Sequence, residues 1–263
     1  MIASGLLERR AAYTTSRKSL AGSADKMLRA ISRSADGMTM ERKTKEQQYN
    51  IMLEKAAHGG LTTFGLMTNQ AWDDDPKRLA FTFSRYKFVA KLMSGREQVL
   101  EIGCADAFAS RIVQQEVQNL TALDFDPIFV DDVKARMNPK WPMTCLVHDM
   151  LKGPPPGRYQ GIYALDVLEH IRPEDEATFL TNMVSSLEPH GVAILGMPSL
   201  ESQAYASPIS RAGHVNCKSM PQLKSSLEPF FHNVFVFSMN DEIVHTGYHK
   251  MAQYLMALCC SKR

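Results

Sequence analysis

Four apolar runs in the middle of the chain end in residues that could do chemistry. The first closes as Val99-Leu100-Glu101-Ile102-Gly103-Cys104-Ala105-Asp106-Ala107 and the second as Thr121-Ala122-Leu123-Asp124. The third runs into His148-Asp149-Met150, and the fourth into Ala164-Leu165-Asp166-Val167-Leu168-Glu169-His170-Ile171. A turn of small residues lets a ligand approach the backbone closely, and glycine suits it best. Gly103 is present, while Ala105 and Ala107 stand where a glycine-rich loop would repeat glycine. Asp124 lies 23 positions after Glu101, a distance at which an acid can accept hydrogen bonds from both hydroxyls of a ribose. Asp126 is the second choice for that role. Its competing reading is a helix N-cap, with Pro127 opening the helix at the favoured first position. A carboxylate at Asp149 could accept from an exocyclic amine, and Met150 beside it could cover a flat ring.

Three histidines are candidates for proton transfer, because an imidazole titrates near neutrality. His170 precedes Ile171-Arg172-Pro173 and reads either as a base or as a side chain that closes its loop by hydrogen bonds. His214 sits in Gly213-His214-Val215-Asn216-Cys217, and His245 follows the polar run Ser238-Met239-Asn240-Asp241-Glu242. With Ser199, Gln203, Tyr205, Asn216, Asn240 and Asp241, these stretches read as a substrate pocket or as solvated loops. Zinc prefers a compact His/Cys set and magnesium an octahedron of oxygens. No short-range spacing among Asp166, His170, His214, Asp241 and His245 forces either, so no metal is expected.

The elements that must hold these residues alternate. Gln98 to Ile102, Leu120 to Asp124, Met143 to His148, Gly161 to Leu165, Val192 to Met197 and Val234 to Ser238 read as strands. Ala107 to Glu116, Pro127 to Met137, Glu174 to Leu187 and Pro221 to Leu227 read as helices, and Met251 to Cys259 as a last strand or helix. Such alternation predicts an α/β fold with a mainly parallel sheet covered on both faces. Ligands of such sheets sit beyond the strand C-termini. Upstream, Asp73-Asp74-Asp75-Pro76 looks like a helix N-terminus, and Leu79 to Met93 carries apolar residues at helical spacing.

Bulk properties narrow the class. A chain of 263 residues fits one large domain plus an extension. A net charge of +2 gives no basis for a general nucleic-acid binder. No apolar run is long enough to span a bilayer. Five cysteines without a C-x-x-C pair read as reduced thiols of a cytoplasmic protein. The first 37 residues hold seven Lys or Arg and three acids. They read as an organelle transit peptide, as a frayed helical arm, or as sequence upstream of a true start at Met38 or Met40.

Taken together, Glu101 to Ala107, Asp124, Asp149 and Leu165 to Ile171 resemble the motifs of class I S-adenosylmethionine-dependent methyltransferases. The small-molecule type with L-E-H after the fourth strand fits best. Ser185-Ser186-Leu187-Glu188-Pro189-His190-Gly191-Val192 resembles that family's turn before strand five. The likeness covers about Arg96 to Leu200. It implies a Rossmann-like doubly wound seven-stranded sheet with an N-terminal helical extension. S-adenosylmethionine would be the methyl donor and S-adenosylhomocysteine the product. By the resemblance, Gly103 lies against the methionine part of the cofactor, with Cys104 and Ala105 in the same loop. Glu101 orients that loop or reaches the cofactor amino group. Asp124 holds the ribose with Phe125 alongside, Asp149 and Met150 hold the adenine, and Leu165 and Asp166 flank the methionine end. A nicotinamide dehydrogenase, the rival reading, would need G-x-G-x-x-G, and its later glycines are missing here.

The division implied is 1–57 as a helical or flexible extension, 58–95 as cap helices leading into the core, and 96–263 as the cofactor-binding domain. The upstream segments would cover the cofactor or pair two subunits as a homodimer. The expected reaction is methyl transfer to a small molecule, at a hydroxyl of a sugar or another polar metabolite, with His170, His214 and His245 as base candidates. The alternatives are methylation of a protein or a lipid-linked glycan, or a cofactor-binding but inactive partner subunit. The intact motif set argues against the last.

Overall fold

The computed structural model describes residues 42–263. The basic, serine-rich start, with its transit-peptide and alternative-start readings, lies outside the described residues. The described residues fall into two units, 42–61 and Thr62–Arg263. In the first, α1 (Asn50–Gly59) ends where Gly60 takes a φ of +67°, a turn that glycine makes without steric cost.

The second unit opens with two helices, α2 (Leu66–Asp74) and α3 (Lys77–Met93). A helix starts where the acids before the proline place it, with Pro76 as the N-cap of α3, and Asp73 and Asp74 also finish α2. Helix α3 buries Leu79, Tyr86, Val89, Ala90 and Met93, the stripe expected from its spacing.

An eight-stranded sheet follows, in the order β3-β2-β1-β4-β5-β8-β6-β7. Strands β1 (Gln98–Ile102), β2 (Asn119–Asp124), β3 (Thr144–Val147), β4 (Tyr159–Leu165) and β5 (Leu187–Pro198) are parallel. Strand β8 (Tyr254–Lys262) runs antiparallel between β5 and β6 (Phe231–Asn240). Two antiparallel steps make β6 parallel to β5, so Asn240 ends at the same edge as Ile102, Asp124 and Leu165. The expected count was seven strands. The eighth, β7 (Ile243–His245), arises because Asp241 takes a φ of +48° and turns the chain back along β6.

Alternation along the strands fills both faces of the sheet. Leu100, Ile102, Ile162, Ala164, Ala193 and Leu195 pack against Phe179, Leu180 and Met183 of α6 (Glu176–Ser185) and Leu223 and Leu227 of α8 (Met220–Leu227). Val99, Tyr163, Leu165 and Ile194 face the other way, against Val89, Ala90 and Met93 of α3. The approach there is close: a Cβ on Gly161 would stand 2.4 Å from the Met93 sulfur. By the same parity Glu101 is turned toward α3.

Between the strands, α4 (Ser110–Gln114) is shorter than the expected Ala107 to Glu116 because residues 103–109 are spent on a loop. Helix α5 (Pro127–Arg136) starts as the sequence suggested. The Asp126 carboxylate accepts from the Ile128 N–H at 2.9 Å with Pro127 at the first position, which makes Asp126 the N-cap. Helix α7 (Pro208–Gly213) was not anticipated. Ser207 caps it and Pro208 opens it. No helix among the described residues is long and apolar enough to cross a membrane.

Candidate functional site

The loop after β1 is held by backbone. Gly103 and Cys104 N–H groups both donate to the Leu123 carbonyl, at 2.8 and 2.9 Å. Gly103 has a φ of +73°, and a Cβ there would stand 2.3 Å from a Val167 methyl. Only glycine fits both the conformation and the space. Ala105 and Ala107 have φ of +46° and +50°, the left-handed conformation that repeated glycines would adopt freely. It costs an alanine about 1–2 kcal/mol. The Ala105 N–H is tied to the Asp124 carboxylate at 2.9 Å and the Ala107 N–H to the Cys104 carbonyl at 2.8 Å. The alanines therefore keep a glycine-like loop.

Asp124 closes β2. One of its oxygens accepts from Ala105 and the other from the Asp126 N–H at 2.9 Å. Each carboxylate oxygen has a second lone pair for a ligand hydroxyl. Phe125, directly after it, is 73% exposed and offers a flat apolar ring at the edge. Asp149 ends the β3 loop, where the Leu151 N–H and then Lys152 hold its carboxyl below the usual range. Met150 is buried in the core beside α6, with its carbonyl taken by Asn182 at 2.7 Å. Loop, carboxylates and exposed ring together fit a nucleoside lying across β1 to β3.

Glu101 lies beneath this loop, 1% exposed. Its carboxylate accepts from the Tyr86 hydroxyl at 2.7 Å. Burial raises its pKa to about 7, against the pull of the Ser110, Tyr86 and Tyr163 hydroxyls.

The β4 side is assembled from distant segments. Asp166 has a φ of +56° and presents its carboxylate to Arg85 of α3, at 2.9 and 3.1 Å from one guanidinium nitrogen. That guanidinium also lies 3.8 Å over the Tyr254 ring. Arg85 and Tyr254 were not anticipated as site residues. On a helix with a clear apolar stripe, one arginine among several carries no local signal.

A 3-10 turn, Leu168–His170, follows Asp166. The Glu169 carbonyl accepts from the Val215 and Asn216 N–H groups at 2.8 and 3.0 Å. These two bonds bring His214 beside His170, with ring centroids 5.2 Å apart. Nδ1 of His170 meets the Gly213 carbonyl at 2.9 Å, and Nδ1 of His214 meets Gln203 Oε1 at 2.8 Å. The Gln203 amide nitrogen is anchored on the Ser199 carbonyl. Both Nδ1 atoms face acceptors, so in the neutral rings Nδ1 carries the proton and Nε2 the lone pair. Burial, then the neighbouring His170, lowers the His214 pKa. Glu169 is fully buried and neither of its carboxylate oxygens has a hydrogen-bond partner. Burial, then the Asp166 charge, pushes its pKa far up. Glu169, His170 and His214 each offer one ligand atom within 4.8 Å of the others.

The remaining polar candidates hold loops together. Ser199 is fully buried, donating to the Ala252 carbonyl at 2.6 Å and accepting from Ser202 N–H at 3.0 Å. Asn216 donates to Glu176 at 2.5 Å and accepts from Lys218 at 3.1 Å. Asn240 donates to the Met251 carbonyl at 2.9 Å, and Asp241 sits in the β6–β7 turn. Both ring nitrogens of His245 are occupied, by Asn240 Oδ1 and the Gly247 N–H, each at 2.9 Å. Tyr205 is 91% exposed.

Residues 99–191 match the model of a family described as a methyltransferase domain. Solved structures share the fold. The N-methyltransferase NodS from Bradyrhizobium japonicum WM9, in complex with S-adenosyl-L-homocysteine, is 18% identical with a TM-score of 0.57, covering 82% of this chain and 99% of NodS. The methyltransferase domain of the bacterial CtHen1-C is 12% identical with a TM-score of 0.58, covering 68% and 98%. The CurJ carbon methyltransferase is 15% identical with a TM-score of 0.55, covering 74% of this chain and 57% of that one. No curated protein matches the chain. Residues 99–191 thus match a methyltransferase domain, in a fold shared with a methyltransferase solved with S-adenosyl-L-homocysteine.

Proposed function

We propose that the chain transfers a methyl group from S-adenosylmethionine to a hydroxyl of a small polar metabolite, with the acceptor oxygen between Asp166 and the His170–His214 pair. The observation that carries this reading is the pair of adjacent imidazoles at the end of β4, each with its Nδ1 on a carbonyl-type acceptor. An amine or carbon acceptor needs little help in losing a proton, whereas a hydroxyl benefits from a neutral base or its equivalent. The bound cofactor supplies a methyl group already activated on a sulfonium.

The rest falls to residues of this chain. Gly103, Asp124 and Asp149 hold the nucleoside so that its methionine end reaches the β4 edge. Arg85 holds the Asp166 carboxylate in place at that edge, and alignment of the reactants is the larger part of such catalysis. The new oxygen–carbon bond forms as the carbon–sulfur bond breaks, and the hydroxyl proton is withdrawn at the His170–His214 pair. Against burial and the neighbouring His170, the Asp166 charge raises the His214 pKa and so favours the positive charge that then develops. His245, with both nitrogens engaged, takes no part in this scheme, and the same holds for Ser199 and Asn216. Gln203 acts through His214.

The test is calorimetric titration with S-adenosylmethionine, followed by a labelled-methyl assay on a metabolite extract. Label in a small molecule as a base-stable ether is the expected result. Cofactor binding without transfer to any small molecule would overturn it.

A further inference from the structure

We infer that Glu169, His170 and His214 form a binding site for one divalent transition-metal ion, through a carboxylate oxygen and the two Nε2 atoms. The inference deepens the functional reading, since it rests on the acceptor oxygen lying at this pair, and it goes against the sequence expectation of no metal. Three observations carry it.

The first is geometric: one ligand atom from each residue falls within 4.8 Å of the other two. The second is the outer set of bonds. Metal-bound histidines characteristically donate their other ring N–H to a carbonyl or carboxylate, which fixes the tautomer and aims the lone pair. His170 does so to the Gly213 carbonyl, and His214 to Gln203, itself anchored on Ser199. The third is Glu169. A fully buried carboxylate without a partner is among the most costly groups a fold can carry in its ionised form. Arg85 acts on it only from a distance, because its hydrogen bonds go to Asp166. A cation at the imidazole pair would supply the missing charge.

The donor set selects the ion. Two imidazoles and one carboxylate match catalytic zinc and the facial triad of iron(II), with positions left open, whereas magnesium and calcium prefer oxygen alone. An open position would take the acceptor oxygen, and a bound cation lowers the pKa of such an oxygen by several units. With both Nε2 lone pairs on the ion, the hydroxyl held at that open position would lose its proton to solvent, and the imidazoles would act as ligands in place of bases. The ligands come from two segments 44 positions apart, His170 and His214, which is why no ligand spacing marks the site in the sequence.

The experiment uses the full chain, dialysed against a chelator and titrated with cobalt(II), followed by visible absorption and calorimetry. One equivalent per chain is expected, with ligand-field bands characteristic of nitrogen ligation, displaced by zinc. His170→Ala and His214→Ala should each weaken binding at least tenfold, and Gln203→Ala about tenfold through the outer bond. Glu169→Gln should weaken it as well, and the exposed His170 carries the test if that variant does not fold. Cobalt taken up equally by the wild type and the His170→Ala/His214→Ala double variant would overturn the inference, as would no uptake. Cofactor binding is titrated in the same preparations. Cofactor binding and small-molecule methylation without metal uptake would sink the metal site alone, and metal uptake without methylation would sink the functional reading alone.

Discussion

The two halves of one sheet edge are built differently. Along β1 to β3, the site is made of backbone and of residues close in sequence to the loop they shape: Gly103, Ala105 and Ala107, with Asp124 tying the loop down. Along β4 and β5 it is made of side chains from four separated segments: Arg85, Asp166 to His170, Gln203 and His214. In the function proposed, the first half serves the cofactor and needs a fixed shape, while the second suits one acceptor through loop side chains that can change without disturbing the strands beneath.

The largest effect should come from the acceptor half. His214→Ala is expected to lower turnover at least about 100-fold, the low end for loss of a proton-transfer group, while the affinity for S-adenosylmethionine changes less than threefold. Unchanged turnover in the labelled-methyl assay would erase the functional distinction between the halves.

The complementary substitution, Gly103→Ala, should do the reverse. The new Cβ meets a Val167 methyl at 2.3 Å, and the positive φ costs about 1 kcal/mol or more on its own. A loss of about 100-fold in cofactor affinity by calorimetry is expected. Adding Val167→Ala removes the contact but not the backbone cost, so part of the affinity should return.

A third measurement addresses the buried acid under the loop. The Glu101 pKa rises from 4.5 to about 7 on folding, chiefly through burial. Its protonated form is therefore favoured in the fold. That stabilisation is complete below pH 4.5 and is lost as pH rises through 7, amounting to about 3 kcal/mol across the interval. Denaturant unfolding of Glu101→Gln should lack this slope and show a fold more stable than the wild type at pH 8. Identical slopes for the two proteins would mean that Glu101 is not buried as described.

The smallest effect belongs to His245. Its ring closes the β6–β7 hairpin through Asn240 and Gly247. His245→Ala should cost about 1 kcal/mol of stability, the worth of an ordinary hydrogen bond, and leave turnover within twofold. A large loss of turnover would extend the acceptor half to β7.

What was legible follows the same division. The first five strands, the parallel order they imply and the Asp126 cap follow from alternation and from a proline in a position only a helix start tolerates. The loop after β1 was legible in position. That Ala105 and Ala107 would hold glycine-like backbone was not, because the bonds that hold it run to Asp124 and Cys104. Ser207-Pro208 signals the start of α7 by the same rule as Asp126-Pro127, and it brings in His214.

The sequence alone determined where strands end and which acids stand at those ends, because strand period and turn chemistry act over a few residues. Only the tertiary structure decided that Arg85 faces Asp166, that His245 is spent on a hairpin, and that His170 and His214 meet over a buried Glu169. Those facts depend on chain segments tens of residues apart folding onto one edge. No local pattern carries a distance of that kind.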